Sequence, residues 1–154
     1  MNAAVSRIDL TLARVPTPGE EGFRSKAYND ATGRTVTCLT MNPPGNLTIG
    51  PGLNLENGIT REEGLAVARI RLAKMDEALR EYAWYTALDE VRGSVFLDVA
   101  YNAGVGGLLH FTSTIHYASV GDWANCRAAL LESHAAKANP NRYRPLAALL
   151  FSGA

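Results

Sequence analysis

Two carboxylates and a hydroxyl are the best equipped groups in this chain to do chemistry: Glu21, Asp30 and Thr48. Glu21-Gly22 and Tyr28-Asn29-Asp30 set the carboxylates nine positions apart around an aromatic residue, and Thr48 opens Thr48-Ile49-Gly50-Pro51-Gly52. Carboxyl groups in unequal surroundings suit cleavage of a glycosidic bond. One stays protonated and gives its proton to the leaving oxygen. The other stays ionised and supports the positive charge developing on the sugar ring, or orients a water that a nearby hydroxyl helps to hold. For Glu21 to act as the acid near neutral pH, an apolar surrounding or a negative neighbour must raise its pKa. Glu20 is the competing acid, but Glu21 is the one that precedes Gly22. Each residue also has an ordinary reading. A lone Glu is commonly solvated surface, Asp30 lies in the turn-forming run Tyr28-Asn29-Asp30-Ala31-Thr32-Gly33, and Thr is at home in strands.

The elements that must position these groups follow from periodicity and punctuation. Residues 5–15 read as a short helix with Ile8, Leu12 and Val15 on one side, broken by Pro16-Thr17-Pro18-Gly19. Residues 34–40 alternate and are rich in β-branched types, so they read as a strand. After the turn Asn42-Pro43-Pro44-Gly45-Asn46, the run Leu47–Gly50 returns as its partner, making a small hairpin lobe. Thr60-Arg61-Glu62-Glu63 is a capping box. It opens a helix of about five turns, on which Leu65, Ala68, Leu72, Met75 and Leu79 form one apolar stripe. A second helix is predicted over 86–103, with Leu88, Val91, Val95 and Val99 inward and Gly104 as its C-cap. Shorter helices follow over about 112–120, over 122–132 with Asp122 as N-cap, and from Asn141 to Phe151 before Gly153. Pro145 argues for a start later than Asn141 in that last helix. The fold class expected is α+β and mainly helical: a small β-hairpin lobe and a helical lobe joined by a long helix.

Composition narrows the function. At 154 residues, 47% hydrophobic and 19% charged, the chain fits one globular domain. Fifteen basic and fifteen acidic residues cancel, which argues against a nucleic-acid partner. Residues 101–154 carry four basic side chains (Arg127, Lys137, Arg142, Arg144) against Asp122 and Glu132, a slight positive bias that could face an anionic polymer. The segment Met1–Val15 contains Arg7, Asp9 and Arg14 and reads as neither signal peptide nor membrane anchor. Cys38 and Cys126 lie far apart without metal-ligand spacing and read as two reduced thiols. His110, His116 and His134 show no ligand-like pattern, so neither metal nor cofactor is expected. Trp84 and Trp123 read as packing residues.

The pattern Glu-Gly-x5-Tyr-x-Asp-x2-Gly…Thr-Ile-Gly-x-Gly resembles the phage-type lysozymes of glycoside hydrolase family 24. The resemblance covers most of residues 20–153. It continues through Gly52-Leu53-Asn54-Leu55, Gly58-Ile59-Thr60, Val95–Gly104, Gly107-Leu108-Leu109-x-Phe111, Gly121-Asp122-Trp123 and Asn139-Pro140-Asn141-Arg142. It implies one lysozyme-like domain over 1–154: a cleft and hairpin lobe over about 20–58, an interlobe helix over about 60–80, and a helical lobe over about 84–154. It also implies a muramidase that hydrolyses the β-1,4 bond between N-acetylmuramic acid and N-acetylglucosamine. Glu21 would be its acid, with Asp30 and Thr48 positioning water. Gly52, Asn54, Tyr101, Asn102, Thr114 and Arg142 fall where the family contacts or flanks the substrate, Arg142 beside the acid. The partners implied are peptidoglycan glycan strands and a separate holin-like pore, with no stable membrane insertion, for a monomer made in the host cytoplasm and acting in the periplasm. An inverting path requires the Glu21 and Asp30 carboxyls to stand roughly 6.5–9.5 Å apart, and about 5 Å would favour retention.

This chain departs from the family's pattern in three places. Pro16, Pro18 and Gly19 interrupt the helix that leads into Glu-Gly. About a dozen additional residues enlarge the segment between Gly33 and Thr48. Pro51 and Leu53 stand where a bulky residue and a His are frequent. Two other functions remain open: a lytic transglycosylase, which uses one essential Glu and leaves a 1,6-anhydro product, and a non-catalytic peptidoglycan-binding module.

Overall fold

The computed structural model describes residues 5–14, 24–29, 32, 34–36 and 45–153. Glu21, Asp30, Gly33 and Cys38 lie outside the described residues, as do the Pro16–Gly19 break and residues 37–40 of the predicted strand. The elements are α1 (Arg7–Leu12), β1 (Thr48–Ile49), β2 (Leu53–Asn54), a 3-10 turn (Leu55–Asn57), α2 (Arg61–Leu79), α3 (Ala83–Thr86), α4 (Glu90–Leu109), α5 (Thr112–Ser119), α6 (Trp123–Glu132), α7 (His134–Ala138) and α8 (Pro140–Ser152). The fold is α+β and mainly helical, with a small two-stranded antiparallel sheet. The chain divides into two compact units, Val15–Ala68 and Met1–Arg14 with Arg69–Ala154.

In the first unit, β1 pairs with β2 in the register Thr48↔Asn54 and Ile49↔Leu53. The sequence pointed instead to residues 34–40 as the partner of Leu47–Gly50. The physical reason is the turn: Gly50 (φ 58°) and Gly52 (φ 100°) flank Pro51 in left-handed backbone that other residues rarely adopt, and so fold the chain straight back. Of the predicted strand, Thr35 forms one antiparallel bridge with Tyr28. Farther along, Ile59 N–H donates to the Ser25 carbonyl at 2.7 Å. A Cβ at Gly58 would lie 2.8 Å from that same oxygen, so only glycine admits this approach. The capping box that opens α2 closes reciprocally. Thr60 N–H donates to the Glu63 carboxylate at 2.7 Å, and Glu63 N–H donates to Thr60 Oγ1 at 3.2 Å.

The second unit is built around α4. Its residues 93–100 are all buried, so the helix reads as hydrophobic nearly all round because neighbours cover it nearly all round. Phe96, Val99, Leu130, Tyr143, Leu146 and Leu150 are among the side chains that fill this core. The C-cap predicted at Gly104 is instead a kink (φ 77°, ψ 159°), and helical backbone resumes to Leu109. The last helix starts earlier than Pro145 suggested, at Pro140, with Asn139 as N-cap. Pro at the first helical position forfeits only an N–H with no intrahelical partner, and Pro145 removes a single bond, to the Asn141 carbonyl, at the exposed start of the helix.

Helix α1 is fastened to α4 and the turn before it by polar groups. Arg7, 3% exposed, lies over the Tyr85 ring at 4.6 Å. It donates to the carbonyls of Tyr85 (3.0 Å) and Leu88, while Glu90 accepts from its backbone N–H at 2.9 Å. A Cβ on Gly93 would fall 2.2 Å from Arg7 Nε, so the absent side chain there makes room for the guanidinium. Both tryptophans pack as expected: Trp84 edge-on against Phe96 (5.1 Å) and Trp123 beneath Arg92 (4.0 Å).

Candidate active site

The described candidates in the first unit are Thr48, Gly52 and Asn54. Thr48, exposed on β1, donates its hydroxyl to the Asn46 carbonyl at 3.2 Å. A Cβ at Gly52 would meet nothing within 4 Å, so the turn conformation is what selects glycine there. Asn54 spends its side-chain oxygen on a cap, accepting from Glu56 N–H at 2.9 Å.

In the second unit the candidates fall into two groups. Thr114, 2% exposed on α5, lines a cavity of about 540 Å³ with His110, Thr112, Ser113, Glu132 and His134. Tyr101, Asn102 and Arg142 do not line it. They gather instead on one side of α4, around a residue that sequence reasoning passed over, Asp98. Its carboxylate is only 8% exposed and is held from both sides. Oδ2 accepts from Arg14 Nε at 3.0 Å and Oδ1 from Arg142 Nη2 at 2.5 Å. Arg14 also donates to the Ser94 carbonyl at 2.8 Å, and Thr11 donates its hydroxyl there at 3.1 Å. One turn beyond Asp98, Asn102 donates to the Tyr143 hydroxyl at 3.4 Å. Beside it Tyr101 is 37% exposed.

Ser94, Asp98 and Asn102 are spaced by four, so they share one face of α4 and form a polar seam in an otherwise apolar helix. The seam ties the end of α1 and the start of α8 to the same helix. Arg142, expected beside Glu21, thus has Asp98 as its ion-pair partner among the described residues. The signal for the seam was in the sequence, as three polar residues at helical spacing within Val91–Ala103. What hid it was distance along the chain, because the matching cations lie more than forty residues away on α8 and more than eighty away after α1.

Among the described residues no cluster of three His, Cys, Asp or Glu side chains could hold a metal ion. No described helix is long and apolar enough to cross a membrane. Cys126 is a free, buried thiol. Burial pushes its pKa up to about 11, with Asp122 adding to the effect and Arg92 opposing it.

A family model described as phage lysozyme matches residues 19–146, spanning Glu21, Asp30, Thr48 and the whole Asp98 seam. The chain belongs to the phage lysozyme family. No match is found among curated proteins. As a phage lysozyme it is a glycosidase, a peptidoglycan hydrolase acting on the cell wall. The seam belongs to the stretch Val95–Gly104, which carries part of the family likeness in sequence.

Proposed function

We propose that this phage lysozyme is a muramidase that hydrolyses the β-1,4 bond between N-acetylmuramic acid and N-acetylglucosamine, and that it serves as an endolysin in host lysis. The observation that carries this reading is the family match, which runs unbroken from residue 19 through both candidate carboxylates and the candidate hydroxyl. Glu21 protonates the glycosidic oxygen. Asp30 stays ionised and, with Thr48, holds the water that attacks from the opposite face of the ring, inverting the anomeric centre. Gly52, Asn54, Tyr101, Asn102, Thr114 and Arg142 contact the glycan or flank the acid. The protein works as a monomer over one lysozyme-like domain and reaches the periplasm through a separate membrane pore.

Product chemistry tests the bond and the mechanism. Hydrolysis leaves fragments with reducing N-acetylmuramic acid ends, and the inverting path gives them initially as the α anomer. Fragments ending in 1,6-anhydro-muramic acid would replace this reading with transglycosylation, and β products would replace inversion with retention.

A further inference from the structure

The Arg14–Asp98–Arg142 cluster is incomplete as it stands. Two guanidiniums meet one carboxylate, which leaves one surplus positive charge. The groups facing Asp98 are Thr11 and Arg14 from α1 and its end, Arg142 and Tyr143 from α8, and Ser94 and Asn102 on α4 itself. None of these is a second anion. The nearest other acid on α4, Glu90, lies two turns back against Arg7. Arg142 Nε is buried and donates to nothing among the described residues. A buried donor without an acceptor is costly, and costlier still in a charged group. Yet the Arg142 side chain as a whole is 36% exposed, so the guanidinium can be reached from outside.

We infer that Asp98 is a positioning residue that holds Arg14 and Arg142 together as a carboxylate-binding site. The surplus charge and free donors of that pair receive one further carboxylate. Guanidinium suits this role because its planar fork engages a carboxylate while a second edge stays anchored. Asp98 supplies the anchor, with its two oxygens divided between the two arginines. The carboxylate comes from one of two sources: an acidic side chain of this chain that takes part in the reaction, or the substrate. The inference rests on the peptidoglycan-hydrolase reading and adds to it two residues, Arg14 and Asp98.

The test uses two substitutions with opposite effects on charge. Asp98→Asn raises the surplus from one positive charge to two, and Arg14→Gln removes it. Initial rates on sacculi are taken across pH for wild type and both variants. If the bound carboxylate is the catalytic acid, which must be protonated to act, the alkaline limb of kcat moves about one pH unit down in Asp98→Asn and up in Arg14→Gln. If it belongs to the substrate, the limb stays, and KM falls in Asp98→Asn and rises in Arg14→Gln by several-fold. Asp98→Glu restores most of the wild-type behaviour in either case. A purely structural role cannot produce shifts of opposite sign. Folded variants with unmoved limbs and an unmoved KM would overturn the inference. A second readout needs no turnover: the Nε–H resonance of Arg142 in Asp98→Asn, titrated first alone and then with purified muropeptides. It shifts with a carboxylate pKa, or on muropeptide addition, if the site takes a carboxylate. A resonance that responds to neither overturns the inference whether or not the protein proves to be a muramidase.

Discussion

Replacing Arg7 by Met should destabilise this protein far more than replacing Arg69 by Met, although each arginine ties α1 to another part of the same unit. Arg7 is 3% exposed and supplies hydrogen bonds to two carbonyls. The Tyr85 carbonyl keeps a bond from Leu88 N–H at 3.2 Å after the change, whereas the Leu88 carbonyl has Arg7 as its donor and would be orphaned. An orphaned buried acceptor costs about 1–3 kcal/mol, and the second lost bond about 1 kcal/mol. Loss of the guanidinium from the face of Tyr85 adds about 1 kcal/mol. Methionine retains most of the apolar stem, so cavity terms stay small. The sum is about 3–4 kcal/mol, reduced somewhat because a buried charge is also removed. In a chain of this length that lowers Tm by about 6–12 °C. Arg69 pairs with Asp9 at 2.8 Å, but the two side chains are 55% and 45% exposed, so solvent screens the pair and its loss should shift Tm by no more than about 2 °C. Scanning calorimetry and urea titration of both variants decide the matter. Equal losses, or an Arg7→Met cost under about 1 kcal/mol, would refute the argument that burial gives this arginine its weight.

Three further outcomes follow from the same packing. Leu130, 1% exposed on α6, should cost about 2–5 kcal/mol when cut to Ala, read as a lower urea midpoint at unchanged slope. Burial, with a 2.6 Å hydrogen bond to Asp76, raises the Tyr85 hydroxyl above its ordinary pKa. A raised folded-state pKa contributes stability that is fully present below the unfolded value, about 10, and is lost as pH rises beyond it. Unfolding free energy should therefore fall above about pH 10 and fall less steeply in Tyr85→Phe. Cys126, buried and titrating near 11, should resist a disulfide exchange reagent at pH 8 in the native state and react fully in urea; rapid labelling of native Cys126, mapped by mass spectrometry, would contradict its placement.

Local signals in the sequence translated well into structure. The Thr60–Glu63 box marked the start of α2, and Asp122 capped α6 as read, accepting from Asn125 N–H at 3.1 Å. Both depend on residues three apart, which a sequence displays directly. Where the reading failed, a longer-range or conformational choice decided the outcome. Gly104 has the composition of a helix end, yet packing lets α4 kink there and continue. Pro145 has the composition of a helix breaker, yet its one lost bond falls where the cost is small. The short α7 went unread because five residues carry too little periodicity to register. Within the candidate site, Thr48, Asn54, Tyr101, Asn102, Thr114 and Arg142 were named from likeness to a family, and their surroundings came only from the fold. Asp98 was not named at all. Its importance lies in two arginines that only three-dimensional packing brings to it.

The most direct test of the account compares the soluble fragments that wild type and Glu21→Gln release from purified sacculi, by mass spectrometry. Glutamine matches the size of the acid but has no proton to give. Wild type should release muropeptides with reducing N-acetylmuramic acid ends, and Glu21→Gln, folded to the same Tm, should release essentially none. Release of the same fragments at a comparable rate by Glu21→Gln would contradict the assignment of Glu21 as the acid. No new ends from a folded wild type that still bound sacculi would contradict the muramidase reading itself.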